Sequence, residues 1–221
     1  MSAEVSVKAL ARSDGLEPFR QIAALHIRLI HGGILPELGE RFLTSLYREI
    51  AASRHGCVHA AFAGGRVVGF VVGAADIWRC ALGFRPGGCL RLGALLLTRL
   101  WRLSILGRAL GSLAYPFRNA HVPDRGAAPL SSHRAELLAI AVAETAQGRG
   151  IGRLLVQALE TSLAARVTHY FVSTNVQEKQ SNAFYRELGF SPAGQMRHHD
   201  LIVQLYIKAL GPTASPERLS S

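Results

Sequence analysis

The stretch AELLAIAVAETAQGRGIGRLLVQALETSL, residues 135–163, decides the fold of this chain. Residues 135–143 are almost continuously apolar, which is typical of a central strand buried on both faces. From Ile151 to Leu159 the apolar residues recur three and four positions apart, which is the spacing of an amphipathic helix. The glycine-rich segment 147–153 therefore forms a turn between a buried strand and a long helix.

Segments on both sides of this unit extend the prediction to a mixed α/β sheet flanked by helices. Strands are predicted from alternating or β-rich apolar runs, and helices from apolar residues at helical spacing. The expected elements are a strand at 5–10, helices at 17–30 and 37–52, strands at 57–63 and 66–75, a strand at 169–174, a helix at 180–188, and one or two closing strands ending at 201–209. We expect one domain over 1–210, with an insertion at 76–134 and a disordered tail at 211–221.

Composition narrows the class of protein. The 221 residues are 49% hydrophobic, enough for a full core, and the formal net charge is +10. Such a charge favours anionic partners, among them nucleotide cofactors, nucleic acid and acidic membranes. Three cysteines without CxxC spacing indicate free thiols, and residues 1–11 do not resemble a signal peptide. We therefore expect a cytoplasmic protein.

The turn at 147–153 has the chemistry of a phosphate site. The first N–H groups of a helix lack internal partners and lie at the positive end of its dipole, and glycines let an anion approach them. Arg149 and Arg153 add positive charge. A dinucleotide-binding turn would need glycine at position 153, and a P-loop would need Gly-Lys-Ser/Thr. The remaining alternative is a strand-to-helix turn that binds nothing.

These residues resemble a known family. Gln147-x-x-Gly150-x-Gly152 is similar to the pyrophosphate-binding signature of Gcn5-related N-acetyltransferases. Residues 181–190, SNAFYRELGF, resemble the family's second motif, which ends in Tyr-x-x-x-Gly-Phe. The resemblance implies a fold with a central mixed sheet and acetyl-CoA as the co-substrate. It departs from the family at Glu178, where many members carry the asparagine that contacts pantetheine.

The resemblance implies roles for particular residues. Backbone groups of the buried strand would pair with the pantetheine arm, and the turn would hold the pyrophosphate. Asn175 or Asn182 is a candidate replacement for the missing asparagine. The cofactor-binding set is Ile140, Ala141, Val142, Gln147, Gly148, Arg149, Gly150, Ile151, Gly152, Arg153, Asn175 and Asn182.

Two residues are candidates for the chemistry of acetyl transfer, which needs a deprotonated amine and a protonated leaving thiolate. Glu136 matches the position of the family's glutamate base, and a carboxylate among apolar strand residues has a raised pKa. Its alternative role is an ion pair with Arg134. Tyr185 matches the tyrosine that donates to the thiolate, or it is a core aromatic. Because no cysteine stands in a nucleophile setting, we predict direct attack on acetyl-CoA.

The nine histidines show no metal-ligand spacing, and we expect no metal. His31, in the loop between the first two helices, and the pair His198 and His199 are candidates for the acceptor site. Surface histidines without a role are the alternative.

The family joins the strands predicted here at 66–75 and 135–143 by a short turn. This chain departs from the family because an insertion at 76–134 lies between them. Residues 77–123 contain seven arginines and no acid. Arg91, Arg99 and Arg102 fall on one side of a helical wheel, and leucines cover most of the rest. This pattern predicts peripheral contact of residues 88–114 with the inner face of an anionic membrane. Packing on the chain's own core, or on a second subunit in a homodimer, is the alternative.

Three functions fit these features. The first is N-acetylation of a primary amine on a small acceptor such as an amino sugar, free or linked to a nucleotide or lipid. The second is N-acetylation of a protein or peptide. The third is a catalytically silent CoA-binding module at a membrane, which the intact motifs disfavour. Few aromatic residues are suited to base stacking, so nucleic acid is not expected.

Overall fold

In this computed structural model, residues 4–31, 34–98, 135–198 and 201–211 are described. They form one sheet of seven strands with helices on both faces. The strands are β1 (Val5–Ala9), β2 (Gly56–Ala63), β3 (Arg66–Ala74), β4 (Glu136–Val142), β5 (His169–Asn175), β6 (Ser191–His198) and β7 (Leu201–Ala209). Numbered within these ranges, the helices are α1 (Glu17–Leu29), α2 (Leu35–Leu38), α3 (Glu40–Ala52), α4 (Ile77–Leu82), α5 (Pro86–Leu97), α6 (Ile151–Ala164) and α7 (Lys179–Glu187).

The strand order is β1-β2-β3-β4-β5-β7-β6, and the fold class expected from the sequence is confirmed. β4 and β5 pair in parallel, whereas the other neighbouring strands pair antiparallel. The parallel pair arises because α6 carries the chain back along the sheet between the two strands. β4 is therefore central, as its apolar sequence predicted.

The helices cover the sheet in two layers. α1 and α3 pack on one face, where the rings of His26, Tyr47 and Phe70 contact one another. α6 packs on the other face so closely that a Cβ at Gly73 would lie 2.7 Å from the side chain of Leu159. Glycine on β3 thus lets the long helix approach the sheet closely.

One detail differs from the sequence-based expectation, and the structure decides another that the sequence left open. The helix predicted at 37–52 is divided by Gly39, whose φ of 82° favours glycine, so that α2 and α3 are separate. The end of the sheet contains two strands, because β6 pairs with β7 along an exposed edge. β6 has an exposed edge and a glycine at position 194, so its sequence lacks the apolar run that indicates a buried strand.

The insertion begins with α4 and α5, and α5 docks on α3. A Cβ at Gly88 would lie 2.4 Å from the carboxyl carbon of Glu49, so a larger residue would displace that side chain. Glu49 is buried, accepts a 2.5 Å hydrogen bond from Arg12, and receives the backbone N–H of Arg85 at 3.4 Å. The carboxylate thereby neutralises part of the positive N-terminus of α5.

The apolar face of α5 is partly covered by the chain's own core. Leu92 is buried in a cluster with Ile34, Leu38 and Phe42. Leu90 and Leu97 are exposed by 76% and 67%. Self-packing, the alternative to membrane contact, thus holds for Leu92. Residues 99–114, with Arg99 and Arg102, lie outside the described ranges. Among the helices that are described, none combines the length and apolar character required to cross a bilayer.

Candidate functional site

The site is organised by the divergence of β4 from β5. Both strands have seven residues, yet the parallel register contains one pair, Glu136 with Phe171. The backbone N–H of Phe171 donates to Ala135 at 3.0 Å. By contrast, β5 and β7 pair through all seven residues of β5. The two central strands therefore meet near Glu136 and separate toward their carboxyl ends.

The separated part of β4 includes three of the predicted cofactor-binding residues. Ile140, Ala141 and Val142 are half-buried, although the strand is central in the sheet. A central strand of a continuous sheet would be buried on both sides. Among the described strands, none pairs with the β5-facing edge of β4 beyond the first pair. Extended backbone with unpaired N–H and C=O groups can bind the amide groups of an extended ligand.

The glycine-rich turn lies at the carboxyl end of β4. Gly148 and Gly150 have φ angles of 73° and 75°, and Gly150 is the N-cap of α6. A Cβ at either position would meet no atom within 4 Å, so the turn opens to solvent. Arg149 and Arg153 are exposed beside it. The first turn of α6, with Ile151 and Gly152, therefore presents its N–H groups at an open, basic surface.

Gln147 and Gly152 hold this turn in place. The side-chain amide of Gln147 donates to the carbonyl oxygen of Val142 at 3.0 Å, which ties the turn to the end of β4. A Cβ at Gly152 would lie 3.1 Å from the ring of Phe184 on α7. The second glycine of the motif thus permits the contact between α6 and α7. The sequence motif alone did not indicate Phe184 as the partner of this glycine.

Glu136 lies where β4 and β5 meet. Glu136 is 5% exposed, and desolvation raises the pKa of its carboxyl group to about 8. Within the described ranges, no side chain forms an ion pair or hydrogen bond with the carboxylate, and Arg134 lies outside them. An acid that is desolvated and unpaired favours its protonated form up to mildly basic pH, which is the property predicted from the sequence.

Tyr185 lies on α7 among aromatic rings. It contacts Phe184, Phe190 and Tyr206 at centroid distances between 5.5 and 6.1 Å. Burial raises the pKa of its hydroxyl above the usual value. Its hydroxyl has no hydrogen-bond partner among the described residues. The ring is therefore part of the core, and the hydroxyl keeps its proton without an acceptor in the described part of the chain.

Asn182 and Asn175 lie on the β5 side of the opening between β4 and β5. The buried amide of Asn182 donates to the carbonyl oxygens of Asn175 and Glu178, each at 2.8 Å, and its oxygen accepts from the Tyr206 hydroxyl at 2.9 Å. These bonds fix the connection from β5 to α7. The side-chain oxygen of Asn175 accepts from the backbone N–H of Gln177. Both asparagines therefore shape this side of the opening through bonds within the chain.

The remaining candidates are not brought together with this site by a described contact. His31 is exposed beyond the end of α1. His198 ends β6, and His199 lies outside the described ranges. In the part of the chain that is described, no group of three or more His, Cys, Asp or Glu side chains is arranged to hold a metal ion.

Comparison with known proteins places this architecture in a family. The model of the Acetyltransferase (GNAT) family matches residues 30–190. No curated protein matches the chain.

Solved structures of low sequence identity share the fold. An acetyltransferase of the GNAT family from Streptococcus pneumoniae is 13% identical, with a TM-score of 0.55, and the match covers 94% of this chain and 100% of that one. The ribosomal-protein-S18-alanine N-acetyltransferase from Escherichia coli is 14% identical, with a TM-score of 0.52 and coverage of 99% and 100%. NAA60 from Arabidopsis thaliana in complex with acetyl-CoA is 12% identical, with a TM-score of 0.54 and coverage of 94% and 99%.

The seven-stranded mixed sheet with helices on both faces is the fold of these acetyltransferase structures. The family match spans most of the chain, so this chain belongs to the Acetyltransferase (GNAT) family. As a member of this family, it is an N-acetyltransferase that uses acetyl-CoA.

Proposed function

We propose that the enzyme transfers the acetyl group directly from acetyl-CoA to the primary amine of a small acceptor. An amino sugar, free or carried by a nucleotide or lipid, is the acceptor class that best fits the basic chain. The pyrophosphate would bind the backbone of residues 147–152, beside Arg149 and Arg153. The pantetheine arm would lie between the diverging strands along Ile140, Ala141 and Val142.

The observation that carries this proposal is the single register pair between β4 and β5. It joins the strands at Glu136, and no described strand pairs with the rest of that β4 edge. A cofactor bound at the turn would follow this edge toward Glu136. Its thioester would then lie near a desolvated carboxyl group, as acetyl transfer requires.

Glu136 and Tyr185 have complementary roles in the proposed reaction. The amine nitrogen attacks the thioester carbonyl, a C–N bond forms and the C–S bond breaks. Glu136, in its ionised form, accepts the proton that the amine loses, directly or through water. Tyr185 keeps its proton at neutral pH and gives it to the departing thiolate. Desolvation makes Glu136 a stronger base, and it keeps Tyr185 in the protonated form that a proton donor needs.

Acceptor screening with purified protein tests the proposal. Acetyl-CoA is mixed with panels of amino sugars, their phosphorylated and nucleotide-linked forms, and peptides with free amino groups, and release of the CoA thiol is measured. Mass spectrometry of the product locates the acetyl group. Turnover of small amines would support the proposal. Turnover of peptides alone would contradict it and favour a protein or peptide acceptor.

A protein or peptide acceptor is the second candidate. Two of the structures that share the fold are the ribosomal-protein-S18-alanine N-acetyltransferase and NAA60. Their identity to this chain is too low to carry their acceptors over. In this alternative, α4 and α5 would form part of the surface on which the protein substrate docks. A peptide array would show a sequence preference only in this case.

We also propose that the exposed side of α5 makes a peripheral membrane contact. Leu90 and Leu97 lie seven residues apart on one helical face and remain uncovered. Flotation with anionic liposomes at low salt tests this contact, and Leu90→Ser with Leu97→Ser should abolish it. Leu82→Ser, at another exposed leucine, is the matched control. Sedimentation of the same variants decides whether this face instead joins two copies of the chain.

A further inference from the structure

β4 contains one residue that neither neighbouring strand pairs. On β3, Val72 pairs with Ala139. The next residue, Gly73, pairs with Leu137, so the register skips Leu138. The parallel register with β5 contains a single pair and does not include Leu138 either. An extra residue of this kind is a β-bulge, which turns a side chain away from the direction that regular alternation along a strand would give it.

The two residues that flank Leu138 lie on opposite faces of the sheet. Leu137 lies on the face covered by α6, because a Cβ at its partner Gly73 would contact that helix. Ala139 lies two residues from the partner of Phe70 and therefore on the other face, where α1 and α3 pack. Leu137 and Ala139 are both buried. Each face of the sheet is thus filled by a neighbour of Leu138.

Leu138 itself is outside the core. It is 38% exposed, whereas the other six residues of β4 are buried or half-buried. The hydrophobic core cluster includes the apolar residues of β4 on both sides of Leu138, but not Leu138. Because its neighbours occupy both faces, the remaining direction for its side chain is the edge of β4 that faces β5. No described strand pairs with this edge beyond Glu136, so Leu138 borders the opening between β4 and β5.

Leu138 also lies at the expected position of the thioester. Four residue steps separate it from Val142, where β4 ends before the glycine-rich turn, and they span about 13 Å at 3.3 Å per residue. The extended pantetheine arm of CoA can cover a distance of this order. Glu136, the proposed base, is two residues further along the strand. A cofactor with its pyrophosphate at the turn and its arm along β4 therefore brings its acyl group beside Leu138.

We propose that the Leu138 side chain contacts the acyl group of the bound thioester and limits its length, so that acetyl is preferred over longer chains. The inference rests on the proposed function, because it uses the cofactor path along β4. An apolar side chain at this point can contact a methyl group, whereas a propionyl or butyryl chain would have to displace it. One methylene group more or less in an apolar pocket changes binding or rate by about 10- to 200-fold.

The first test is isothermal titration calorimetry with acetyl-CoA, propionyl-CoA and butyryl-CoA, with free CoA as the reference ligand. The wild-type protein should bind butyryl-CoA at least about tenfold more weakly than acetyl-CoA. Leu138→Ala removes most of the side chain and should abolish this difference. An unchanged preference in Leu138→Ala would contradict the assignment, as would equal binding of the three thioesters by the wild-type protein.

The adjacent leucine provides the matched control. Leu137→Ala makes the same change one residue away, in the buried face under α6, so it should lower Tm by leaving a cavity and keep the acyl preference. Leu138→Ala should have the opposite pattern, because its side chain is exposed. Leu16→Ala, at a leucine that is 42% exposed, is a second control that does not disturb the core. Loss of the preference in Leu137→Ala or Leu16→Ala as well would overturn the proposal.

A conservative variant separates the size of the side chain from the conformation of the bulge. Leu138→Met keeps a similar apolar volume and should retain the wild-type preference for acetyl-CoA. A preference lost equally in Leu138→Met and Leu138→Ala would assign the effect to the backbone and contradict contact with the acyl group.

The second test is turnover with an amine found in the acceptor screen. In Leu138→Ala, the ratio of kcat/KM for propionyl-CoA to that for acetyl-CoA should rise at least about tenfold. An unchanged ratio would contradict the assignment. Calorimetry needs no acceptor, so a preference that depends on Leu138 would support this inference even if every small amine failed in the screen. That failure would contradict the proposed small acceptor instead.

Discussion

The two ends of β4 differ in almost every physical respect. At its carboxyl end, the glycine-rich turn is open, and its surface consists of backbone N–H groups and exposed arginines. At its amino end, Glu136 is buried and desolvated, and no described side chain pairs with it. Recognition of an anion needs accessible donors, whereas proton transfer needs a group whose pKa has been moved. One seven-residue strand connects these two requirements.

The largest effect is expected when a side chain and a negative charge are placed in the open turn. Gly150→Glu should lower the affinity for acetyl-CoA by at least about 100-fold, because like charges at close range cost several kcal/mol. Isothermal titration calorimetry measures the affinity. Gly65→Glu is the matched control, since Gly65 also has a positive φ and open space around it. Equal losses in both variants would assign the effect to strain.

The second change removes the proposed proton donor. Tyr185→Phe keeps the aromatic cluster and deletes the hydroxyl, so kcat should fall about 100-fold while acetyl-CoA affinity changes little. Steady-state rates and calorimetry separate the two effects. Because the ring of Tyr185 packs against Phe190 and Tyr206, Tyr185→Ala would also disturb the core and is the less informative variant. A wild-type rate in Tyr185→Phe would leave the thiolate to solvent.

The third change tests the buried end through pH. With a pKa of about 8, Glu136 is mostly protonated at neutral pH, so the acetylation rate should rise until pH is about 8 and then level. Glu136→Gln should lose activity and also lose this pH dependence. A variant rate that rises with the same midpoint would assign the titration to the acceptor amine.

Glu136 should also set a pH dependence of stability. Its pKa is higher in the folded chain than the value of 4.5 for a free carboxyl, so the free energy of unfolding falls as pH rises from about 4.5 to about 8. Below that range the Glu136 carboxyl group is protonated in both the folded and the unfolded chain, so this loss of stability is absent. Glu136→Gln should therefore have a higher Tm than the wild type at pH above 8, and the gain should shrink toward acidic pH. Thermal unfolding followed by circular dichroism measures the difference.

The smallest expected effect concerns the second glycine of the motif. Gly152→Ala gains helix propensity but places a methyl group 3.1 Å from the Phe184 ring, and overpacking of this kind costs about 1–3 kcal/mol. We expect a lower Tm and little direct effect on the pyrophosphate contacts. Combining Gly152→Ala with Phe184→Leu should recover stability. A lost acetyl-CoA affinity that Phe184→Leu does not restore would assign Gly152 to the phosphate contact itself.

Much of the fold could be predicted because its decisive segments carry strong local signals. The apolar run that became β4 and the helical spacing that became α6 placed the centre of the sheet correctly. The division at Gly39 was not predicted, and the sequence left open whether a second closing strand, β6, is present. Gly39 resembles any glycine within a helical pattern until its φ is known, and an edge strand exposed on one side has no apolar run to mark it.

Docking of the insertion helix likewise needed the folded chain. Gly88, Glu49 and Arg12 are distant in sequence and carry no motif, yet they meet at the N-terminus of α5. The leucine-rich pattern was compatible with a membrane, a second subunit or the chain's own core. The contacts of Leu92 with Ile34, Leu38 and Phe42 favour the core for that part of α5.

The sequence alone was enough to identify residues whose role depends on the local backbone conformation. Gly148 and Gly150 could be identified because an anion site at a helix N-terminus needs residues that accept a positive φ, and this need is visible within a few positions. Tertiary structure decided which atoms surround Glu136, how far β5 lies from β4, and that Leu138 is exposed between buried neighbours. Desolvation and exposure depend on segments that meet only after folding, so no local pattern could specify them.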